Sequence, residues 1–319
     1  MSDPHLSPKA PGAKAALYVG TMNFGKRTPA AESEQIIARA LDRGLTWFDT
    51  ANVYNDGESE RIVGRALKGK PQAKIATKVG IGNMARKEGL SPARVAAALD
   101  ESLGRLGRDH VDLYYLHAPD PQTPIGDTLE AIEAARTAGK IVEWAVSNYA
   151  SWQIADIVHL TKAFRMNAPR VSQVMYNLLV RQLDLEYFAF AKKFQIHTTI
   201  YNPLAGGLLA GKGLDGKFEA GSRWDGNKMY QKRYLSDRFY ELQRAYAALA
   251  KDAGLDAVQL AYAFAANRPG VDSVLLGPAT VQQLDAGIDG CGLELSKDVL
   301  AKIDEIHHAY VGTDVSYAR

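Results

Sequence analysis

Short apolar runs alternate with longer amphipathic stretches from Leu17 to about Ile306. The short runs predict strands, because they are brief, apolar and bounded by turn residues, as strands buried on both faces are. Eight of them follow one another along the chain, at residues 17–20, 46–49, 74–78, 111–116, 142–147, 171–174, 198–201 and 273–276.

Helical periodicity marks the stretches between these runs. One helix is predicted to begin after Ser91, with Pro92 at its first position, and to end before Gly107, because these residue types are typical of helix ends. Another helix is predicted to begin at Ser151. Alternation of strand and helix repeated in this way is typical of parallel strands joined by crossover helices.

Both a doubly wound sheet and a closed barrel fit this alternation. The G-x-G-x-x-G fingerprint of doubly wound dinucleotide-binding sheets does not follow the first strand. Unusual polar residues instead stand at the ends of many different strands, where barrel enzymes place their chemistry. The sequence therefore predicts an α/β fold, a (β/α)8 TIM barrel.

A single domain is predicted over residues 15–319, because a chain of 319 residues suits one barrel of about 250 residues with insertions. Residues 1–14, which include Pro4, Pro8 and Pro11, are predicted to form a flexible N-terminal tail. The least regular stretch, at about 212–237, is predicted to be a long loop, and such loops are usually functional or disordered.

Composition and charge narrow the class of protein. A formal net charge of +2 gives no basic excess that would indicate nucleic-acid binding, and no apolar run reaches the roughly 18 residues of a membrane span. The N-terminus lacks the apolar segment of a signal peptide. The one cysteine, Cys291, permits no intrachain disulfide and is expected to be an inert structural thiol. We therefore expect a cytoplasmic protein.

Ionisable side chains follow three neighbouring predicted strands. Asp49 ends the second strand and is followed by Tyr54, Lys78 ends the third strand, and His117 comes directly after the fourth. In a barrel these strand ends converge at one rim. An acid, a phenol, an ammonium and an imidazole are therefore expected to meet there.

This combination of side chains suits the reduction of a carbonyl group without a metal. A free tyrosine has a pKa near 10, and an adjacent Lys78 ammonium would lower the pKa of Tyr54 and make it a better proton donor. Asp49 would supply the counter-charge that a buried lysine needs. His117 could donate a hydrogen bond to a carbonyl oxygen as negative charge develops on it.

Each of these residues also has an ordinary structural explanation when it is taken alone. Asp49 could cap a helix, Lys78 could lie along the surface, and His117 could be a satisfied structural histidine. Their occurrence at three successive strand ends is much harder to explain in this way.

The same residues stand in motifs that resemble those of the aldo-keto reductases, and the resemblance runs from Val19 to the last residue. It implies hydride transfer from a nicotinamide to an aldehyde or ketone, with Tyr54 as the general acid and His117 orienting the carbonyl. By the same resemblance Lys78 adjusts the pKa of Tyr54, and Asp49 holds Lys78 in place. The motifs are Asp49-Thr50-Ala51-x-x-Tyr54, Ile75-Ala76-Thr77-Lys78 and Leu113-Tyr114-Tyr115-Leu116-His117.

The resemblance extends to residues that would bind the cofactor. Ser147 and Asn148, with Gln173 as their companion, resemble the group that holds the nicotinamide carboxamide, and Tyr201 stands where the family places an aromatic ring against the nicotinamide. The glycine-rich segment that follows would let backbone N–H groups approach a pyrophosphate. Its candidate binding residues are Asn202, Pro203, Leu204, Gly206, Gly207, Leu208, Gly211 and Lys212.

The segment after the last strand resembles the part of the family that binds the adenosine 2′-phosphate, and it implies contacts from Gly277, Thr280 and Gln283. Here the chain departs from the family pattern, because Ala279 stands where charged or amide residues are common. Arg223 could supply charge to the 2′-phosphate. NADPH is the expected cofactor, and NADH is the alternative.

Within the family the chain resembles the aflatoxin aldehyde reductase and succinic semialdehyde reductase group. The resemblance implies that Tyr230, Arg233 and Arg319 surround the substrate, where guanidinium groups can grip a carboxylate in a bidentate fork. Trp224 would be an apolar wall of this pocket or a packing residue of the loop. The alternative is that Arg233 pairs with Asp237 on the surface and that Arg319 is a frayed terminus.

The expected activity is therefore the reduction of aldehydes, including carboxylate-bearing or dicarbonyl aldehydes such as succinic semialdehyde. A nucleotide-binding regulatory subunit with slow turnover is the alternative, because related barrels serve in that role. A lyase or isomerase would fit the fold, but no paired carboxylates or metal ligands are evident. The resemblance also allows a homodimer, and no nucleic acid or membrane partner is expected.

Overall fold

The computed structural model shows one closed barrel in which all eight strands are parallel and each pairs with its neighbour in chain order, from β1 round to β8. The structure describes residues 6–82, 88–213, 217, 224–225 and 227–313. The (β/α)8 fold is confirmed. The strands are β1 (Ala16–Gly20), β2 (Trp47–Asp49), β3 (Lys74–Val79), β4 (Val111–Leu116), β5 (Ile141–Ser147), β6 (Val171–Met175), β7 (His197–Tyr201) and β8 (Ser273–Leu276).

Helices surround the barrel and connect its strands. The helix predicted after Ser91 is confirmed as α3, which ends at Gly107 in the left-handed conformation (φ 61°). None of the helices within the described ranges combines the length and apolar composition needed to cross a membrane. The helices are α1 (Ala30–Asp42), α2 (Glu58–Ala66), α3 (Pro92–Leu106), α4 (Ile125–Thr137), α5 (Ser151–Ala163), α6 (Tyr187–Phe194), α7 (Lys228–Tyr234), α8 (Asp237–Asp252), α9 (Ala257–Asn267), α10 (Val281–Gly292) and α11 (Lys297–Val311).

Side chains alternate between the two faces of each strand, which is why the strands are apolar on both sides. Along β4, Tyr114 packs in the apolar layer between strands and helices, whereas Tyr115 packs in the separate cluster inside the barrel. Cys291 on α10 belongs to the outer layer, and burial raises the pKa of its thiol to about 12, as expected for an unreactive structural cysteine.

The N-terminal segment, for which the sequence predicts a flexible tail over residues 1–14, packs against the floor of the barrel in its described part, from Leu6 onward. Leu6 is 1% exposed and packs against the apolar residues inside the barrel. The backbone N–H of Lys9 donates to Asp272 over 2.8 Å, and the ring of His197 hydrogen-bonds the carbonyl of Ser7 over 2.9 Å. Leu6 thereby supplies the apolar plug that the open end of the barrel needs.

The stretch at about 212–237 is not irregular throughout, because α7 lies within it. The Asn227 side chain accepts a hydrogen bond from the N–H of Tyr230 and caps this helix. Trp224 is buried and meets the rings of Tyr230 and Tyr234 edge-on, with centroids 6.1 and 6.0 Å away. These three aromatic residues belong to the main apolar layer of the protein, so the described part of the segment packs onto the core of the barrel. Residues 314–319, which include Arg319, lie outside the described residues.

Candidate active site

The carboxyl ends of β2, β3 and β4 bring the predicted tetrad together at one rim of the barrel. Backbone hydrogen bonds continue the strand register past the strand ends: the N–H of Asn52 donates to the carbonyl of Lys78 over 3.2 Å, and that of His117 donates to Val79 over 2.8 Å. Tyr54 then opens a short 3₁₀ turn. Asp49, Lys78 and His117 are thus positioned by the barrel strands, and Tyr54 by the short turn that follows β2.

Asp49 and Lys78 form a buried ion pair. The Lys78 ammonium donates to the Asp49 carboxylate and, over 2.7 Å, to the carbonyl of Thr50, and Lys78 is completely buried. Burial lowers the pKa of Lys78 and raises that of Asp49, and the attraction between the two charges opposes both shifts. Each residue therefore depends on the other to remain charged.

The ammonium of Lys78 lies beside the ring of Tyr54. Its nitrogen is 5.1 Å from the centroid of that ring and 5.5 Å from the centroid of the Tyr115 ring. Tyr54 itself is only half-buried, so its ring is open to an approaching molecule. A phenol that faces solvent on one side and a buried cation on the other can give up a proton to a ligand.

His117 faces Tyr54 across the mouth of this site. The two rings meet edge-on, with centroids 5.9 Å apart and an interplanar angle of 76°. Burial, and then the charge of Lys78, lowers the pKa of His117 well below 6.5. The imidazole is therefore neutral at neutral pH and keeps a single N–H with which to donate a hydrogen bond.

The residues predicted to hold a carboxamide join the tetrad in one hydrogen-bond network. The Asn148 amide donates to the carbonyl of His117 over 2.9 Å and accepts from the hydroxyl of Tyr201 over 2.7 Å. Ser147 donates from its hydroxyl to the carbonyl of Gln173 over 3.0 Å. Ser147, Asn148, Gln173 and Tyr201 therefore lie together at the rim, as the sequence predicted.

The glycine-rich turn after β7 has the open backbone that an anionic group requires. Gly207 (φ 106°) and Gly211 (φ 78°) have positive φ; a Cβ on Gly207 would meet only the side chain of Lys212, and one on Gly211 would meet nothing within 4 Å. The side-chain nitrogen of Asn202 is buried without a partner among the described residues. These features fit a bound pyrophosphate.

Other predicted members of this turn serve the fold. Leu208 is fully buried in the outer apolar layer, and Pro203 is buried as well, so their side chains support the turn from below. A Cβ on Gly206 would lie 2.8 Å from the Tyr230 ring, so glycine is required there for packing. Leu204 is partly buried against the same layer.

The predicted adenosine end is built around the start of α10. Thr280 caps this helix by accepting from the N–H of Gln283 over 3.2 Å, and the Gln283 side chain accepts from the N–H of Ala279 over 2.9 Å. The predicted phosphate ligand Arg223 lies outside the described residues. A Cβ on Gly277 would meet no atom within 4 Å, so the backbone there is open to a ligand.

Sequence reasoning missed one acidic residue at this end. Glu32, in the first turn of α1, accepts a hydrogen bond from the N–H of Val281 over 3.1 Å. Nothing in its local sequence distinguishes it from the other surface acids of α1. It lies at α10 only because barrel closure brings α1 and α10 together.

The residues predicted around the substrate lie on or near α7. The Tyr230 hydroxyl donates to the Asn202 side chain over 3.3 Å, and the guanidinium of Arg233 is 5.7 Å from the Tyr230 ring centroid. The alternative pairing of Arg233 with Asp237 is absent from the ion pairs of the described segments. Arg319 lies outside the described residues.

Comparison with known proteins gives a consistent result. The model of the "Aldo/keto reductase family" matches residues 16–308. The chain is 37% identical over 300 residues to human aflatoxin B1 aldehyde reductase member 2, covering 88% of this chain and 82% of that protein. It is 35% identical over 298 residues to human aldo-keto reductase family 7 member A3, covering 86% and 88%. It is also 32% identical over 307 residues to the uncharacterized oxidoreductase YrpG of Bacillus subtilis, covering 91% of each.

Proposed function

The chain belongs to the aldo/keto reductase family and is an NAD(P)H-dependent oxidoreductase, and we propose that it reduces aldehydes to alcohols with Tyr54 as the proton donor. One observation supports this assignment above the others. The buried Lys78–Asp49 pair lies against one side of Tyr54 while a neutral His117 faces it on another, which is the arrangement that protonation of a carbonyl oxygen needs.

When bound, the reduced nicotinamide supplies the hydride that attacks the carbonyl carbon. The chain's own residues handle the charge that this attack places on oxygen. His117 donates a hydrogen bond to that oxygen, and the hydroxyl of Tyr54 transfers its proton to it. The Lys78 ammonium stabilises the tyrosinate that remains, and Asp49 keeps that ammonium charged.

We assign the cofactor to the rim between β5 and β8. Ser147 and Asn148 would hold the carboxamide of the nicotinamide, Tyr201 would pack against its ring, and the turn around Gly207 would take the pyrophosphate. NADPH is the proposed cofactor, with Lys212 and Arg223 as candidate phosphate ligands. The carboxylate of Glu32 at α10 would weaken the discrimination against NADH, because it repels a 2′-phosphate there.

We propose that the preferred aldehydes carry a remote carboxylate, as succinic semialdehyde does. Arg233 supports this proposal, because no carboxylate of the described residues pairs with it and its guanidinium lies beside Tyr230 at the same rim. Arg319 would be a second cation, and Trp224 and Tyr230 would form an apolar wall. The names of the two human relatives, which specify an aldehyde reductase and an aldo-keto reductase, support an aldehyde as substrate.

A steady-state assay tests the proposal. The loss of reduced cofactor is followed with NADPH and NADH in parallel, using succinic semialdehyde and a neutral aromatic aldehyde. We expect turnover with NADPH and a lower KM for the semialdehyde. Equal KM values would keep the reductase and remove the carboxylate pocket. Tight nucleotide binding without turnover would instead favour the nucleotide-binding regulatory subunit.

A further inference from the structure

Tyr54, the proposed proton donor, lies beyond the end of its strand. Asp49 and Lys78 belong to β2 and β3, which the barrel holds in register, whereas Tyr54 comes after β2 has ended. Its ring centroid is nevertheless 5.1 Å from the Lys78 nitrogen. Contacts outside the strand ladder must therefore hold the turn that carries this ring.

The backbone directly after Tyr54 is left-handed at three successive residues. Asn55 has a φ of 51°, Asp56 of 54° and Gly57 of 81°. This conformation is unfavourable for residues that carry a Cβ, although asparagine and aspartate tolerate it better than most. Such a turn persists only where the surrounding structure holds it, and beside a reacting group it indicates a positioning role.

Asn55 ties this turn to the loop after β1. Its side-chain nitrogen donates to the carbonyl of Met22 over 3.1 Å and to that of Phe24 over 2.6 Å. The loop is itself anchored, because Phe24 is completely buried and the Asn23 side chain donates to the carbonyl of Gly277 over 3.2 Å. The amide of Asn55 therefore joins the turn to a packed part of the rim.

Glu88 ties the other side of Tyr54 to the loop after β3. One oxygen of its carboxylate accepts from the Asn52 side chain over 2.8 Å, and the other accepts from the N–H of Gly80 over 2.8 Å. The Glu88 side chain is only 10% exposed, so little water competes for these bonds. Asn52 lies just before Tyr54 and Gly80 just after Lys78, so the carboxylate bridges the two segments that bring phenol and ammonium together.

We propose that Asn55 and Glu88 are positioning residues that hold the phenol of Tyr54 from two sides, an inference that rests on the function proposed above. Asn55 fixes the turn against the loop after β1, and Glu88 fixes it against the loop after β3. The phenol must stay within hydrogen-bond reach of the oxygen that it protonates, and a small displacement of such a group costs much of the rate. These two contacts do for Tyr54 what strand register does for Lys78.

Asn55 and Asp56 provide a matched test, because they are adjacent and both left-handed. Glycine suits that conformation at either position, so Asn55→Gly and Asp56→Gly should affect folding alike. Asn55→Gly removes the two hydrogen bonds to the loop after β1, whereas Asp56→Gly removes an exposed side chain. The two variants therefore differ in the contact that holds the turn.

We expect Asn55→Gly to lower kcat for aldehyde reduction by about tenfold, while the dissociation constant of NADPH stays within about twofold of the wild-type value. The solvent deuterium isotope effect on kcat should increase, because proton transfer from a displaced Tyr54 becomes slower relative to the other steps. Asp56→Gly should match the wild type in all three measurements. Equal values of kcat and of the isotope effect in the two variants, or a loss of kcat without a larger isotope effect, would overturn the role of Asn55.

Asn55→Asp covers the case in which Asn55→Gly does not fold. Aspartate has nearly the same size and also tolerates a left-handed backbone, but its carboxylate cannot donate to the two carbonyls. We expect the same loss of kcat and the same increase in the isotope effect, with Asp56→Asn as the unchanged control. Wild-type behaviour of Asn55→Asp would remove the role of Asn55.

Arg94 supplies the matched pair of variants for Glu88, because its guanidinium binds two carboxylates. It donates to Glu88 over 2.9 Å and to Glu101 over 2.9 Å, and of these two acids Glu88 is the one that also accepts from Asn52 and Gly80. A glutamine side chain accepts on one oxygen alone, so Glu88→Gln loses at least one of the two bonds that hold the turn. We expect kcat to fall by about fivefold with an increased isotope effect, and Glu101→Gln to match the wild type.

Equal behaviour of Glu88→Gln and Glu101→Gln would overturn the role of Glu88. Failure of this inference differs from failure of the proposed function. A wild-type protein without reductase turnover contradicts the proposed function and this inference with it. An active wild type whose Asn55 and Glu88 variants keep the wild-type kcat and isotope effect contradicts this inference alone.

Discussion

Gln173 donates a hydrogen bond from its side-chain nitrogen to Asp49 across the interior of the barrel, over 2.9 Å and 124 positions of sequence. The resemblance had implied that Gln173 belongs to the group that holds the carboxamide of the cofactor. Its side chain instead links that group to the ion pair behind Tyr54. Hydrogen bonds therefore link the residues proposed to hold the nicotinamide carboxamide to the ion pair behind the proposed proton donor.

The proton-donor assignment is tested by Tyr54→Phe. We expect kcat for aldehyde reduction to fall at least 100-fold, since a positioned general acid contributes about 10²–10⁴-fold. The dissociation constant of NADPH, measured by quenching of protein fluorescence, should stay within about twofold of the wild-type value. Such a change is well below the tenfold that a loss of about 1.4 kcal/mol of binding free energy would cause. Wild-type turnover by this variant would disprove the assignment.

The neutral state of His117 is tested by the pH dependence of reduction. Burial and Lys78 keep its pKa well below 6.5, so its charge should not change as the pH is lowered from 7.5 to 6.5. We expect kcat to be constant over that range. A break near pH 6.5 that disappears in His117→Asn would show that the imidazole titrates normally.

Reduction should decline on the alkaline side as Lys78 loses its proton. Burial lowers the pKa of this lysine below 10.5, so we expect kcat of the wild-type protein to begin to fall below pH 10.5. In the Asp49→Asn variant the counter-charge is gone, so kcat should begin to fall at a still lower pH. An Asp49→Asn profile identical to the wild type would contradict this. Among the described residues, the titratable groups around the ammonium are Asp49, Tyr54, Tyr115, His117 and Glu60.

The role of Glu32 in cofactor choice is tested by Glu32→Gln. The neutral side chain would no longer repel a 2′-phosphate near the N–H of Val281, so we expect the dissociation constant of NADPH to fall by roughly fivefold and that of NADH to stay unchanged. Titration calorimetry measures both without catalysis. Glu34→Gln, on the same helix but paired with Arg65 at 3.7 Å, is the matched control and should change neither. An equal effect on both cofactors would remove the proposed role.

The carboxylate grip is tested by Arg233→Gln. We expect KM for succinic semialdehyde to rise by about tenfold, and KM for a neutral aldehyde to change little, because only the former loses a charge-assisted pair. Arg238→Gln, whose guanidinium donates to the carbonyl of Tyr310 on α11, is the control and should leave both KM values unchanged. Deletion of Arg319 should have the same selectivity as Arg233→Gln. Parallel increases for both aldehydes would indicate general damage to the pocket.

Much of the fold and the tetrad could be predicted because both depend on local pattern. Each strand is a short apolar run, since its residues are buried on both faces. The turns that bound each strand are recognisable in the sequence from their turn residues. Asp49, Lys78 and His117 stood out because an ionisable residue directly after such a run is conspicuous. Parallel strands in a closed barrel then bring those strand ends to one rim without any further information.

Other relationships appeared only when the barrel closed. Leu6 belongs to a segment that the sequence predicts to be a flexible, proline-containing tail, yet it packs against the floor of the barrel. An apolar plug is needed there only because the closed barrel has an open end. Glu32 reaches α10 because β1 pairs with β8, and Gln173 reaches Asp49 across the interior. Sequence alone determined which residues form strands and which carry ionisable groups at their ends. The tertiary structure decided which distant side chains share a hydrogen bond, because such contacts depend on register and closure, which leave no periodic signal in the chain.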